Sequence, residues 1–292
     1  MKRLVLAAYR VRGLIYLPAM IVLVAIAVTS GLSYSDGVQQ VRSTIAWCAI
    51  VAFAATIVLA FLGPSLLPAR EMITVTSPVH GRWQALNSPA SNVPSHGIRM
   101  YGQAYAIDLV ADPLDRPRPA FGESPAMRHP RDYPAFGEPV FAMIDGVVVR
   151  ASGWRRDHRS RSNLLAVIYL MVEGAVRELG GPGFILGNHV IIRGADGTHA
   201  AIAHLQQGSV SVRVGDRVTA GRTIGRCGNS GNSSEPHVHA QLMDRRSLLT
   251  AQGIPMAFAD VVLDDALERI DGLPQNGQHL TVAVREEPRR RD

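Results

Sequence analysis

The sequence predicts a mainly β domain with an antiparallel sheet, preceded by a hairpin of two membrane-spanning helices. Two long charge-free segments lie near the N-terminus, short apolar runs separated by turn residues follow from Glu71 onward, and one strand-like segment carries two histidines. Runs of this length and spacing are typical of helices in the first case and of strands in the second. We therefore divide the 292 residues into a membrane region 1–70, a β domain 71–262 and a polar C-terminal segment 263–292.

The two charge-free segments run from Gly13 to Ser35 and from Ser43 to Ala69. A helix needs about 20 apolar residues to cross a bilayer, and each segment is long enough. A signal peptide has a shorter apolar region followed by a small-residue cleavage site, whereas here a second apolar segment follows a short polar link. We therefore predict two transmembrane helices at about residues 13–35 and 43–66.

Basic residues are unevenly distributed around these segments. Lys2, Arg3, Arg10 and Arg12 precede the first segment, and Arg42 lies between the two. The positive-inside rule then places the residues before the first span in the cytoplasm. Two crossings would return the β domain to the cytoplasm as well.

Composition excludes two classes of function. The net charge is +6, and no basic stripe interleaved with aromatic residues is present, so nucleic-acid binding is not expected. The stretch from Val214 to Gly225 has the residue pattern of the β-hairpin in biotinyl and lipoyl carrier domains. Those domains need an acceptor lysine at the tip of the hairpin. Lys2 is the only lysine, so a carrier function is excluded. Cys48 lies in an apolar segment and Cys227 in the β domain, so we expect no disulfide between them.

The β domain is predicted from apolar runs of strand length bounded by Gly, Asn and Asp. The predicted strands include the runs Phe141–Val149, Asn188–Ile192, Ala200–Leu205 and Val210–Val214. Residues 112–139 and 154–163, rich in Pro or Arg, are predicted surface loops. After Val262 we expect a short helix and then an Arg-rich, disordered tail, 285–292.

Four residues, in three segments of the β domain, are candidates for metal binding or acid–base chemistry. His237 and His239 stand at i and i+2 of a predicted strand, so both imidazoles point to one face. Imidazole suits zinc, and a hydrolytic zinc site needs three protein ligands and an open position. Asp108 lies inside the apolar run Tyr105–Val110, where a carboxylate is costly unless it is paired or metal-bound. His204 closes another predicted strand.

These residues belong to an ordered series of motifs that resembles a known family. The series is Gly187-Asn188, Ala203-His204-Leu205, Gly208-Ser-Val210, Val214-Gly-Asp-Arg-Val218, Gly228-Asn-Ser-Gly231 and Pro236-His-Val-His239. It resembles the LytM/lysostaphin-type zinc metalloendopeptidases of bacterial cell walls (peptidase family M23), over roughly residues 78–244. The resemblance implies a compact antiparallel β-sheet core of that type, duplicated hybrid motif-like, with a groove across it.

The resemblance also implies roles for five residues. His96, Asp108 and His239 match the family's metal ligands, for one Zn²⁺ per domain. His204 and His237 match its catalytic histidines, which act on the water and on the amide that is cleaved.

The spacing of the first metal motif departs from the family pattern. The family usually has three residues between its first histidine and the aspartate, whereas eleven separate His96 from Asp108. The chain must therefore loop away and return. His80 is the alternative candidate for the same role.

The predicted function is a membrane-anchored zinc metalloendopeptidase that hydrolyses peptide bonds in peptidoglycan cross-links. The alternative is a non-catalytic zinc-binding scaffold, or an activator of other wall hydrolases. The expected partners are peptidoglycan peptides and, through the two helices, the lipid bilayer; protein partners are not predicted. Because peptidoglycan lies outside the cell, this function requires an extracytoplasmic domain, opposite to the orientation that the basic residues indicate. We predict the extracytoplasmic orientation.

Overall fold

A computed structural model describes residues 2–264 and 266–283, and the predicted tail 285–292 lies outside them. The chain begins with two long helices, α1 (Lys2–Val28) and α2 (Asp36–Leu62), which pack along each other as a hairpin. Both helices are long and apolar enough to cross a membrane, in agreement with the two predicted spans.

The hairpin contacts the β domain through the first part of α1. Arg10 forms an ion pair with Asp244, with Nη1 2.9 Å from Oδ2. Arg12 is buried, and its Nη2 donates a hydrogen bond to the carbonyl oxygen of Arg99 at 3.1 Å. α1 therefore begins before the predicted span because its polar first turns bind the β domain.

The β domain contains short strands along most of its length. They are β1 (Ile73–Val75), β2 (Gly81–Leu86), β3 (Ile107–Ala111), β4 (Pro139–Phe141), β5 (Gly146–Ser152), β6 (Asn188–Arg193), β7 (His199–Leu205), β8 (Arg217–Val218), β9 (Thr223–Arg226), β10 (Val238–Met243), β11 (Gly253–Ile254), β12 (Met256–Leu263), β13 (Ile270–Gly272) and β14 (His279–Val282). The main sheet has the order β1-β12-β14-β2-β3-β10-β7-β6-β5-β8. Its pairs are antiparallel apart from β1 with β12 among the described residues. The predicted mainly β fold is confirmed.

The central strands follow the alternation expected of a sheet with two different faces. In β10, Val238, Ala240 and Leu242 are fully buried in the main hydrophobic core. His239 and Gln241 point to the opposite face. The apolar half of this pattern fixes the strand in the core and thereby presents the polar half to the other side of the sheet.

Three local predictions are wrong. The run Phe141–Val149 is split between β4 and β5, and Val210–Val214 has no strand structure, although Val212 is buried in the core. The helix predicted after Val262 is replaced by β13 and β14. The short polar stretch there cannot hold a helix by itself, whereas pairing with β2 buries Leu280 completely.

Sequence reasoning missed two helices between β5 and β6. These are α3 (Leu164–Leu179) and α4 (Pro182–Leu186). Asn163 is the N-cap of α3, since its Oδ1 accepts a hydrogen bond from the backbone N–H of Ala166 at 2.9 Å. This cap is the last residue of the predicted loop 154–163, in which Ser160, Arg161 and Ser162 are buried rather than exposed.

Candidate active site

A cleft of about 520 Å³ lies where the polar face of β3, β7 and β10 meets helix α3. All five predicted site residues line this cleft: His96, Asp108, His204, His237 and His239. Helix α3 supplies one wall through Leu170, Met171, Gly174, Ala175 and Glu178. The sheet therefore carries the reactive groups, and the inserted helix closes one side of the cleft.

Asp108 and His239 meet because of the sheet register. They are direct partners in the antiparallel pair of β3 with β10, and their side chains share one face. Asp108 Oδ1 lies 2.9 Å from His239 Nδ1, and both side chains are buried. Asn87, which directly follows β2, donates a hydrogen bond from Nδ2 to Asp108 Oδ2 at 2.9 Å.

His96 reaches the same carboxylate from a loop. Its Nε2 lies 3.0 Å from Asp108 Oδ2. The eleven intervening residues include a 3-10 helix, Met100–Tyr105, that turns the chain back into β3. The alternative candidate His80 lies elsewhere, stacked on Phe141 at 4.1 Å between ring centroids, and it does not line the cleft.

The hydrogen bonds of Gln241 fix the proton on His239. Gln241 Nε2 donates to the carbonyl oxygen of Tyr101 at 2.8 Å, so its Oε1 faces His239 Nε2, also at 2.8 Å. An amide oxygen only accepts, so Nε2 of His239 carries the hydrogen. In the neutral ring, Nδ1 is therefore a lone pair that points at the carboxylate of Asp108.

His96 is held in the same way, but the roles of its two ring nitrogens are exchanged. The hydroxyl of Ser95 donates to the carbonyl oxygen of Gln103 at 3.3 Å, so its oxygen accepts from His96 Nδ1 at 3.0 Å. Nε2 of His96 then presents its lone pair to Asp108. Two neutral imidazole lone pairs against one carboxylate repel each other unless a cation lies between them.

This donor set suits a metal ion. One ligand atom each from His96, Asp108 and His239 lies within 4.8 Å of the others. Two imidazole nitrogens and a carboxylate oxygen are ligands that zinc accepts. The outer nitrogens are held by neighbouring polar groups, as is usual for metal-binding histidines. The residues therefore fit a zinc ion.

His204 points into the cleft because of its backbone conformation. Regular alternation along β7 would send it into the core with Ala200 and Ile202. Its φ of 60° is left-handed, which reverses the alternation and places Leu205 in the core instead. A left-handed conformation costs a non-glycine residue about 1–2 kcal/mol. The ring is then fixed by a bond of 2.8 Å from Nδ1 to the carbonyl oxygen of Ser230.

His237 stands beside His204, with 4.6 Å between the ring centroids. Its Nδ1 lies 2.8 Å from the carbonyl oxygen of Glu235 and 3.0 Å from Ser233 Oγ. Since a carbonyl only accepts, Nδ1 donates the hydrogen, as it does in His204. Nε2 of His237 lies 3.5 Å from Asp108 Oδ1. In the neutral form of each ring, Nε2 therefore carries the lone pair that is available for proton transfer.

Three buried groups of the cleft have shifted pKa values. Burial alone would raise the pKa of Asp108, but the neighbouring imidazoles of His96 and His237 outweigh it and hold this pKa well below its usual range. Burial and the charges of His237 and His239 lower the pKa of His204 strongly. For His237, burial would lower the pKa, but the Asp108 carboxylate outweighs it and raises this pKa. At neutral pH, Asp108 is therefore ionised and His204 neutral.

Sequence reasoning missed several residues that support the site. Gln241 could have been found from the sequence, since it stands two residues after His239 on the same strand and must lie on the same face. Asn87 and Ser95 had none, because each lies in a loop without periodicity. Their positions depend on how the chain between β2 and β3 folds.

Comparison with known proteins identifies the domain that holds the site. Residues 131–250 match the sequence model of Peptidase family M23. This part of the chain is a peptidase family M23 domain. The matched residues of the M23 domain include His204, His237 and His239, whereas His96 and Asp108 precede them.

Individual relatives were also found. Glycyl-glycine endopeptidase ALE-1 of Staphylococcus capitis is 40% identical over 88 residues, which are 30% of this chain and 24% of that protein. The matched segment therefore spans about a quarter of this relative. The catalytic domain of the antimicrobial peptidase lysostaphin from Staphylococcus simulans has 22% identity over 63% of this chain and 88% of its own, with a TM-score of 0.31. The M23 metalloprotease pseudoalterin has 15% identity over 69% and 96%, with a TM-score of 0.35. The family match and the endopeptidase relative support a peptidase.

Proposed function

We propose that this chain is a membrane-anchored zinc metalloendopeptidase that cleaves peptide bonds in peptidoglycan cross-links. One observation carries the proposal: two imidazole lone pairs face one ionised carboxylate, beside two further imidazoles whose Nδ1 is held by a backbone carbonyl oxygen. In this assignment His96, Asp108 and His239 hold the metal, and His204 and His237 are the catalytic residues.

The reaction is hydrolysis of an amide. Zinc held by the three ligands would lower the pKa of water toward about 7 and polarise the carbonyl group. One of the two free imidazoles accepts the proton of the attacking water at Nε2. That proton is delivered to the amine nitrogen as the carbon–nitrogen bond breaks. The bonds from Nδ1 to the carbonyl oxygens of Ser230 and Glu235 stabilise the imidazolium that exists between these two transfers.

The proposed substrate is a peptide of the bacterial cell wall. Its support is the printed activity of the relative ALE-1, a glycyl-glycine endopeptidase, together with the motif series that resembles wall endopeptidases. The cleft between the sheet and α3 is open to solvent, which leaves room for an extended peptide.

We place the β domain outside the cytoplasm, with α1 and α2 as a two-pass anchor. Two of the four basic residues that favour the opposite orientation have structural uses, since Arg10 pairs with Asp244 and Arg12 binds the carbonyl oxygen of Arg99. Their presence before the span therefore needs no cytoplasmic location. A C-terminal reporter that is active only outside the cytoplasm should be active, and activity only of a cytoplasmic reporter would reverse the orientation.

The proposal is tested with the full chain purified in detergent and incubated with cross-linked peptidoglycan. We expect new amino termini to appear, a metal chelator to abolish them, and zinc to restore them. Elemental analysis should give one zinc per chain. Bound zinc without cleavage of any cross-linked wall material would favour the non-catalytic scaffold instead. His129→Ala is the control variant, because this exposed loop histidine lies outside the cleft and should leave both readouts unchanged.

A further inference from the structure

Helix α3 has a wide apolar face that is largely exposed in the described part of the chain. Seven large apolar side chains on this helix are between 49% and 75% exposed: Leu164, Leu165, Ile168, Tyr169, Met171, Val172 and Val176. At 3.6 residues per turn they fall within about half of the helix circumference. An exposed patch of this size is unusual for a soluble domain and marks a contact surface.

The other side of α3 is tied to the β domain. Ala166, Leu170 and Gly174 are buried there, and Leu170 and Gly174 also line the active-site cleft. Glu173 pairs with Arg161 and, at 3.2 Å, with Arg177. Glu173 and Arg177 therefore lie away from the exposed apolar face of the helix.

The apolar face lies where the membrane hairpin begins. Near the C-terminal end of α3, Glu178 lies beside Tyr16 of α1, and Leu17 packs against Gly181. Tyr16 and Leu17 follow Gly13, the first residue of the charge-free segment, by three and four positions. At 1.5 Å per residue this is about 5 Å along the helix axis. α3 is thus level with the first turn of the proposed span.

A basic groove of about 310 Å³ borders the same region. Nη2 of Arg150 and of Arg155 converge on Gly183, at 3.5 Å and 3.6 Å from the position of a β-carbon there. Neither arginine has an ion pair within residues 2–264 and 266–283. Arg155 also stacks on Trp154 and Phe184, two exposed aromatic rings of the kind found at membrane surfaces.

We propose that α3 lies in the surface of an acidic bilayer, with its apolar face among the acyl chains and Arg150 and Arg155 beside lipid headgroups. An amphipathic helix in this position buries its apolar face about 5–10 Å into the boundary between headgroups and acyl chains, which matches the level of Tyr16. The inference rests on the proposed membrane anchor. Because the opposite side of α3 lines the cleft, it also deepens the proposed function: the cleft opens beside the bilayer and takes peptides held close to the membrane.

Spin labels on single cysteines test the position of α3. The full chain is reconstituted in nanodiscs of phosphatidylcholine and phosphatidylglycerol, with the label at native Cys48 of α2, or at Val172→Cys or Val214→Cys in a Cys48→Ser background. Val172 and Val214 are matched, at 61% and 64% exposed, and Cys227 stays unlabelled because it is fully buried. Collision with oxygen, which concentrates in lipid, is compared with collision with a water-soluble nickel chelate.

We expect the labels at Cys48 and at position 172 to collide with oxygen and lose collision with nickel, and the label at position 214 to do the reverse. A label at position 172 as accessible to nickel as the one at 214 would overturn the inference while leaving the anchor intact. Shielding of position 172 from both reagents would also overturn it, since a protein partner would then cover α3. Nickel access at Cys48 would overturn the anchor and this inference together.

A functional variant separates this inference from the catalytic proposal. Leu165→Glu with Val172→Glu places two charges on the exposed face, and neither residue lines the cleft. We expect normal cleavage of a soluble cross-linked peptide but slower cleavage of the same peptide attached to the nanodisc lipid. Equal loss on both substrates would contradict the membrane role, and absence of any cleavage by the unaltered chain would contradict the catalytic proposal alone.

Discussion

The two histidine groups of the cleft differ in how their rings are held. His96 and His239 are held by side chains, Ser95 and Gln241, and their free nitrogens face the Asp108 carboxylate. The rings of His204 and His237 are instead held by backbone carbonyls at Nδ1. The imidazole side chain is therefore proposed to serve two chemical tasks in this cleft, and the hydrogen bond at one ring nitrogen determines which nitrogen offers its lone pair.

The difference has a practical consequence. A backbone carbonyl cannot be removed by substitution, whereas the side chains behind the proposed metal ligands can. Substitution of the histidines and of their supports should therefore separate metal binding from proton transfer.

The largest effect is expected from Asp108→Asn. The amide keeps the shape of the side chain but removes the negative charge that the two imidazole lone pairs and a zinc ion share. We expect loss of zinc by elemental analysis. Loss of several kcal/mol of electrostatic stabilisation corresponds to a fall in peptide hydrolysis of at least about a thousandfold.

The control for this variant is Asp112→Asn, a carboxylate just after β3 that pairs with Arg82 and His279 outside the cleft. It should retain zinc and activity. Full zinc content in Asp108→Asn would show that the metal group is wrongly assigned.

The second prediction concerns His204→Ala and His237→Ala. Each removes an imidazole whose Nε2 is proposed to transfer a proton, and neither removes a proposed metal ligand. We expect zinc to stay at one per chain while kcat falls by about 10²–10⁴. Loss of zinc from either variant would mean that the substituted histidine contributes to metal binding. The division of the histidines into metal ligands and proton-transfer residues would then be wrong.

Much of this site follows from local rules of the sequence. The His-x-His spacing places His237 and His239 on one face of a strand, and an aspartate inside an apolar strand must find a partner. The register that pairs Asp108 with His239 is not local, because the two residues are 131 positions apart in the sequence. The proton position on His239 also depends on a distant contact, the hydrogen bond from Gln241 to Tyr101, 140 positions apart.

The parts that sequence reasoning missed or misassigned share a physical cause. Helix α3 is an insertion whose exposed face is as apolar as its buried face, so its pattern does not show which side meets the β domain. Strand β14 is short and polar, and only Leu280 within it is buried. Such elements are held by the neighbours they meet and carry little signal of their own.

Gln241→Leu should have an intermediate effect. The variant leaves Nε2–H of His239 without an acceptor and frees the ring to turn away from Asp108. Loss of an outer partner of a metal-binding histidine typically costs 10–100-fold in metal affinity, and we expect about that range for zinc measured by competition with a chelating dye. Gln252→Leu is the matched control, since this buried glutamine lies outside the cleft and its Nε2 has no hydrogen bond in the structure. Equal zinc affinity in the two variants would mean that Gln241 does not orient the ligand.

Ser95→Ala should have the smallest effect of the four. The hydroxyl supports His96 as Gln241 supports His239, but the His96 side chain is 15% exposed against 5% for His239, so water can take the place of the hydroxyl at Nδ1. A replaced hydrogen bond costs about 1 kcal/mol, which corresponds to roughly fivefold in zinc affinity. The same competition assay measures it. A loss as large as that of Gln241→Leu would mean that the rigidity of the His96 loop, and not burial of the nitrogen, sets the strength of the metal site.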